Sequence, residues 1–83
     1  MKSIGSVSAA IGVRMIPCES SHVVAYGWAN NTLWILFKGD SLYKYPNQSE
    51  DKFISLKDAS SKGKWVNENL IKSGAKCVGY DVT

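Results

Sequence analysis

The sequence predicts an α+β domain: a small antiparallel β-meander of three to four strands with two helices packed on one face, in the order β-β-β-α-α-β. Three observations carry this expectation. From residue 13 to 45, β-branched and aromatic residues come in short runs separated by the turn signals Asn30-Asn31 and Gly39-Asp40. From 50 to 73 the apolar residues change to helical spacing, behind serines placed to cap. The whole chain has 83 residues, close to the lower limit for one domain with one unstapled core.

The elements follow in order. Residues 1–12 carry Gly and Ser without a consistent period and read as a flexible leader, so the domain is expected over 13–83. Structure begins near Val13-Arg14-Met15-Ile16 and is stopped or kinked by Pro17. A strand is expected over 21–28, a turn at Ala29-Asn30-Asn31, and a second strand over 32–38. That second strand is apolar at nearly every position, so both its faces need cover. After Lys38-Gly39-Asp40 the return strand is 41–45, and Pro46-Asn47-Gln48-Ser49 ends the sheet. Ser49 suits the N-cap of a helix over 50–59, with Glu50 and Asp51 favourably placed against the helix dipole. A second helix is expected over 62–73, with Trp65, Val66 and Leu70 inward and Gly74 as terminator. Residues 77–82 read as a last short strand.

Composition places the chain among ordinary globular proteins, at 45% apolar and 20% charged residues. The N-terminal stretch is too short and too broken to be a signal-peptide core, and no segment reaches the length of a membrane span. A cytoplasmic protein with no membrane association is the expectation. Cys18 and Cys77 fit no metal motif and no disulfide framework, so two free thiols are expected. A net charge of +3 is mild and leaves small anions, single-stranded nucleic acid and protein as partners. Three Trp, four Tyr and a two-sided apolar strand in so short a chain point to a homo-oligomer.

Catalytic constellations are scarce. The single histidine, His22, has no Cys, acid or second His at ligand spacing, and no phosphate-binding glycine loop or dinucleotide fingerprint occurs. The chain is therefore read as a non-enzyme without cofactor or metal. Two other features point to binding. In Tyr43-Lys44-Tyr45 the two rings share one face of a strand, about 6–7 Å apart, as in a base-stacking platform. The same pattern also describes a half-exposed strand that packs on helices. Ser60-Ser61-Lys62-Gly63-Lys64 opens a helix with hydroxyls, a glycine and two ammonium groups, which suits an anion. It equally describes a plain N-cap before a solvated charged turn.

Taken together, Ser20-Ser21, Tyr26-Gly27-Trp28, the run from Thr32 to Gly39, Tyr43-Lys44-Tyr45 and the run from Ala59 to Asn67 resemble the KTSC domain, over about residues 16–72. That family is named for its occurrence at the C-terminus of some lysyl-tRNA synthetases and also occurs as small stand-alone proteins of bacteria and phages. The resemblance implies a compact α+β domain, a suggested role in RNA binding, and marked positions at Ser20, Ser21, Tyr43, Tyr45, Ser61, Gly63 and Asn67. The tail after Leu70 departs from the family's basic, aromatic ending.

The functional expectation is thus non-enzymatic binding of nucleotide or nucleic-acid phosphates. Tyr43 and Tyr45 would stack bases, and Ser60, Ser61, Lys62, Gly63 and Lys64, helped by Ser20, Ser21 and Asn67, would hold phosphate. Its sharpest form is a phage sponge that sequesters a cyclic-nucleotide immune signal. The alternative is a protein-interaction module that exposes Trp28, Trp34 and Tyr80.

Overall fold

The computed structural model describes residues 3–39 and 41–80 of the chain. Its elements are α1 (Ile4–Ile11), β1 (Ile16–Pro17), β2 (Val23–Ala29), β3 (Thr32–Phe37), β4 (Ser41–Pro46), α2 (Glu50–Asp58), α3 (Lys62–Val66), a π-helical turn (Asn67–Ile71) and β5 (Val78–Tyr80). The strands form one antiparallel sheet in sequence order, β1-β2-β3-β4-β5. The α+β class stands as predicted, with five strands among the described residues where three to four were expected. Pro17 lies on an edge strand, where its missing N–H costs no ladder bond.

Local chemistry sets the turns. Asn30 and Asn31 both take positive φ, 52° and 58°, which makes the two-residue turn that suits the sheet's twist. Asn47, at φ 62°, swings the chain out of β4 toward α2. There the Trp28 indole N–H donates to the Gln48 carbonyl at 2.7 Å, and the Gln48 N–H donates to the Asn31 carbonyl. Ser49 occupies the N-cap as predicted, although its side chain makes no capping bond; its carbonyl accepts from Lys52 and Phe53 instead. Gly74 ends the helical segment at φ 74°, with the Ala75 N–H reaching back to the Leu70 carbonyl.

The second predicted helix begins at Lys62 but changes character at Asn67, where the Lys72 N–H bonds to the Asn67 carbonyl five residues back. Trp65, Val66 and Leu70 point inward as expected. Of the predicted last strand, Val78–Tyr80 form β5; residues 81 and 82, which completed it, lie outside the described residues.

β3 alternates between two cores. Leu33 and Ile35 join Tyr26, Tyr45, Leu56, Trp65, Val66 and Leu70 on the face covered by α2 and α3. Trp34 and Leu36 join Val7, Val13, Met15, Ala25 and Leu42 on the opposite face. A register shift between Val23 and Ala25 turns Val24 and Ala25 to that same opposite face. The helix layer is knit by Phe53, stacked on Trp28 with centroids 6.3 Å apart, and by the Trp65 indole donating to the Ser55 hydroxyl.

The opposite face corrects the reading of residues 1–12 as a flexible leader. They contain α1, capped by Ser3 and ended by Gly12 at φ 69°, and Val7 is 1% exposed. Periodicity missed this helix because only Ile4, Val7 and Ile11 mark its inner face among small residues. After α1 the backbone crosses β2 so closely that a Cβ on Gly27 would meet the Arg14 carbonyl oxygen at 2.6 Å. Gly27 is thus a packing requirement. The uncovered face of β3 that motivated self-association is covered by the chain's own N-terminal segment.

If α1 is a docked layer, Val7→Ala removes buried methyl groups and leaves a small cavity. It should cost about 1–2.5 kcal/mol and lower the melting temperature by roughly 5–15 °C. A change within experimental error would return residues 1–12 to the status of a leader.

Candidate functional site

The loop that precedes β2, the last residue of β3 and the α3–π segment meet at one seam between sheet and helix layer. A cleft of about 590 Å³ opens there, lined by Ser21, His22, Lys64 and Asn67 with Phe37 and Ile71 as its apolar wall. Its floor is set by one close approach. The Ser20 hydroxyl accepts from the backbone N–H groups of His22 and Val23, at 3.3 and 3.4 Å. A Cβ on Gly63 would lie 2.8 Å from that same hydroxyl oxygen. Gly63 therefore lets α3 sit against the serine loop, and Ser20 holds the loop's shape.

Ser21 and His22 are different. The Ser21 hydroxyl and His22 Nδ1 are 2.7 Å apart, and both residues are exposed to the cleft. Among the described residues the imidazole's hydrogen bonding involves Ser21 alone, so no third group orients the ring as a nucleophile–base pair requires. The two side chains supply a hydroxyl and a ring nitrogen to whatever enters the cleft. Lys64 and Asn67, also exposed, add an ammonium and an amide.

The two lysines expected to act together are separated. Lys62 Nζ donates to the carbonyls of Lys57 and Ala59, which closes the C-terminus of α2. Lys62 does not line the cleft. Ser61 caps α3 by accepting from the Lys64 N–H at 3.3 Å. Ser60 lies on a separate shallow depression of about 220 Å³ with Trp65 and Glu68, which shares Ser61 and Lys64 with the main cleft.

The two tyrosines share a face, as alternation requires, but not a depth. Tyr45 is 4% exposed and belongs to the core beside Leu33 and Trp65, so it offers no ring face for stacking. Tyr43 is 36% exposed, edge-on to Phe37 at 5.8 Å, and lies over Gly79 of β5. It borders a groove of about 450 Å³ with Phe37, Ser41, Ile71 and Cys77, which the edge of Tyr45 also lines. Lys44 points to the opposite face, over the Trp34 ring at 5.9 Å. Cys18 and Cys77 are free thiols, the first half-buried and the second exposed. Burial raises the Cys18 thiol above its ordinary value, with Lys62 opposing. Burial, and then the nearby Cys77 thiol, push the Tyr45 phenol up to about 12.

Phe37, Ile71 and Cys77 escaped the sequence reading. Ile71 stands one helical turn after Asn67 and could have been found from that spacing. Cys77 needed the pairing of β4 with β5, which nothing local encodes.

The KTSC domain family matches residues 19–74, and the chain belongs to that family. The crystal structure of a KTSC domain protein from Yersinia pestis superposes with a TM-score of 0.74 at 25% identity, covering 83% of this chain and 99% of that one. No curated protein matches the chain. The family match holds every cleft residue from Ser21 to Ile71, whereas α1 precedes it and Cys77 and β5 follow it.

Two predictions test this geometry. Gly63→Ala should destabilise the protein by about 1 kcal/mol, because the new methyl displaces the Ser20 hydroxyl and its two hydrogen bonds. In a Ser20→Ala background the same change should be neutral or stabilising, since alanine favours a helix over glycine by about 1 kcal/mol. Additive costs in a double-mutant cycle would refute the contact. For Tyr45 the folded pKa stands above the unfolded one, so its contribution is fully present below about pH 10 and is lost as pH rises toward about 12. Denaturation midpoints of the wild type should fall more steeply than those of Tyr45→Phe across that window. Parallel curves would place the phenol in water.

Proposed function

We propose that the protein binds nucleotide or nucleic-acid phosphates without chemically changing them. The observation that carries this reading is a shared wall. Phe37 and Ile71 line both the polar cleft and the Tyr43 groove, so an anion and an aromatic ring can be held side by side. Phosphate oxygens accept from hydroxyl, amide and ammonium donors, which Ser21, Asn67 and Lys64 bring to one cleft. A base stacks on an exposed ring at the groove's edge, which Tyr43 offers. The binding set in this reading is Ser21, His22, Lys64, Asn67 and Tyr43, with Tyr45, Lys62, Ser20 and Gly63 shaping it from behind.

Both single-stranded RNA and a small cyclic nucleotide belong to this ligand class. Sequestration of a cyclic immune signal by a phage-borne copy is the sharpest form of the reading, because it needs tight binding and no turnover. The interaction-module alternative loses most of its surface. Trp34 is buried and Trp28 is stacked on Phe53 with its indole N–H satisfied, which leaves Tyr80 alone of the three.

The two halves of the site should fail differently. Tyr43→Ala should weaken binding of single-stranded oligonucleotides by about 1–3 kcal/mol, with little dependence on salt. Lys64→Gln should weaken it severalfold at about 20 mM salt and much less at about 300 mM, where exposed charge is screened. Fluorescence titration at both salts checks this. A folded wild type that binds no nucleotide, linear or cyclic, would overturn the proposal.

A further inference from the structure

The three depressions are arranged in series. Ser61 and Lys64 line both the shallow depression and the cleft, and Phe37 and Ile71 line both the cleft and the Tyr43 groove. The chemistry changes along this track. The middle holds the ammonium of Lys64 with the Asn67 amide and the hydrogen-bonded Ser21–His22 pair, which keeps one donor for a ligand in either tautomer of the imidazole. The Tyr43 end has no charged side chain in its lining. The other end carries the Glu68 carboxylate beside Ser60.

We infer that the natural ligand contains two nucleotides joined through a phosphodiester, with the diester in the middle cleft and one base at each end. This rests on the nucleotide-binding reading above and narrows it. Lys64 borders the Glu68 end as well, but there the carboxylate beside it offsets its charge, and the Tyr43 end has no cation, so the phosphate is best placed in the middle, where Lys64 faces no acid. A carboxylate is acceptor-only, and bases present N–H donors on their edges, so Glu68 suits a base better than a phosphate. Tyr43 stacks the second base. A mononucleotide occupies only two of the three positions, which leaves one end of the track bare. The middle cleft, the largest of the three, has room for the sugars beside the diester.

The test is a ladder of ligands on the full chain, with melting curves confirming that each variant is folded: inorganic phosphate, mononucleotides, linear dinucleoside monophosphates, linear tetranucleotides and cyclic dinucleotides. The linear or cyclic dinucleotide should bind at least about tenfold tighter than the mononucleotide, from one added stacked base. Tyr43→Ala and Glu68→Ala should each shrink that ratio. Lys64→Gln should weaken both ligands and keep the ratio. Alkylation of Cys77, which lines the Tyr43 groove, should be slowed by the dinucleotide and not by inorganic phosphate. A cyclic ligand that outcompetes the linear dinucleotide and tetranucleotide identifies the source as a closed signal, and the reverse order identifies a strand. Equal affinity for mono- and dinucleotide, or a ratio untouched by Tyr43→Ala and Glu68→Ala, overturns this inference while leaving nucleotide binding intact. No binding to any member overturns both.

Discussion

β3 is buried on both faces, and the remaining elements are placed by the need to cover it. Leu33 and Ile35 require one layer, and Trp34 and Leu36 require another. In a chain of 83 residues the first layer is α2 with α3, and the second is α1 with the crossing at 13–15. That crossing is what makes Gly27 obligatory, because the Arg14 backbone occupies the space of a side chain there. A three-layer arrangement in so short a protein removes water from both sides of the central strand, which is where apolar burial stabilises most.

The site follows from where this layering stops. α3 can approach the sheet at its upper seam only because Gly63 has no side chain, and the Ser20 hydroxyl fills the place that a methyl would claim. The seam is left polar on the serine-loop side and apolar at Phe37 and Ile71. The change from α to π winding at Asn67 falls within the lining itself, and Asn67 and Ile71 bound the segment that changes. Irregular winding of this kind is frequent at functional sites because it re-aims side chains without ending the helix. β5, outside the family match, then closes the far end of the track beneath Tyr43.

The strands from 23 to 46, both capping serines and the inward residues of the helical segment were legible in the sequence. Each is fixed by local signals: alternation, turn residues with positive φ, and helical spacing. α1 was not legible, because its inner face is three aliphatic residues among Gly, Ser and Ala, and such a pattern acquires meaning only when a sheet face needs cover. The cleft was half legible. Ser21, Lys64 and Asn67 stood out by residue type, whereas Phe37 and Ile71 read as ordinary core and Cys77 as a tail residue. Tertiary adjacency, not local chemistry, gives those three their role.

The two misplaced residues share a spacing, and the geometry of that spacing explains both. Tyr43 and Tyr45 are two apart on a strand, so they share a face but stand about 6–7 Å apart along it. At the border of the helix layer that step is the difference between a core ring under the helices, whose phenol end reaches Cys77, and a rim ring that stands open at the groove. Lys62 and Lys64 are two apart on a helix, where each residue turns the side chain by about 100°, so the pair diverges by about 200°. One ammonium therefore meets the end of α2 and the other meets the cleft. Adjacent like residues act as a pair only when the element's period returns them to one face and its neighbours end beyond both. Neither condition holds for the lysines, and the second fails for the tyrosines. Among the described residues that line the cleft and the groove beside it, Tyr43 is accordingly the exposed tyrosine and Lys64 the cation, with Glu68 and Ser60 on the adjoining depression.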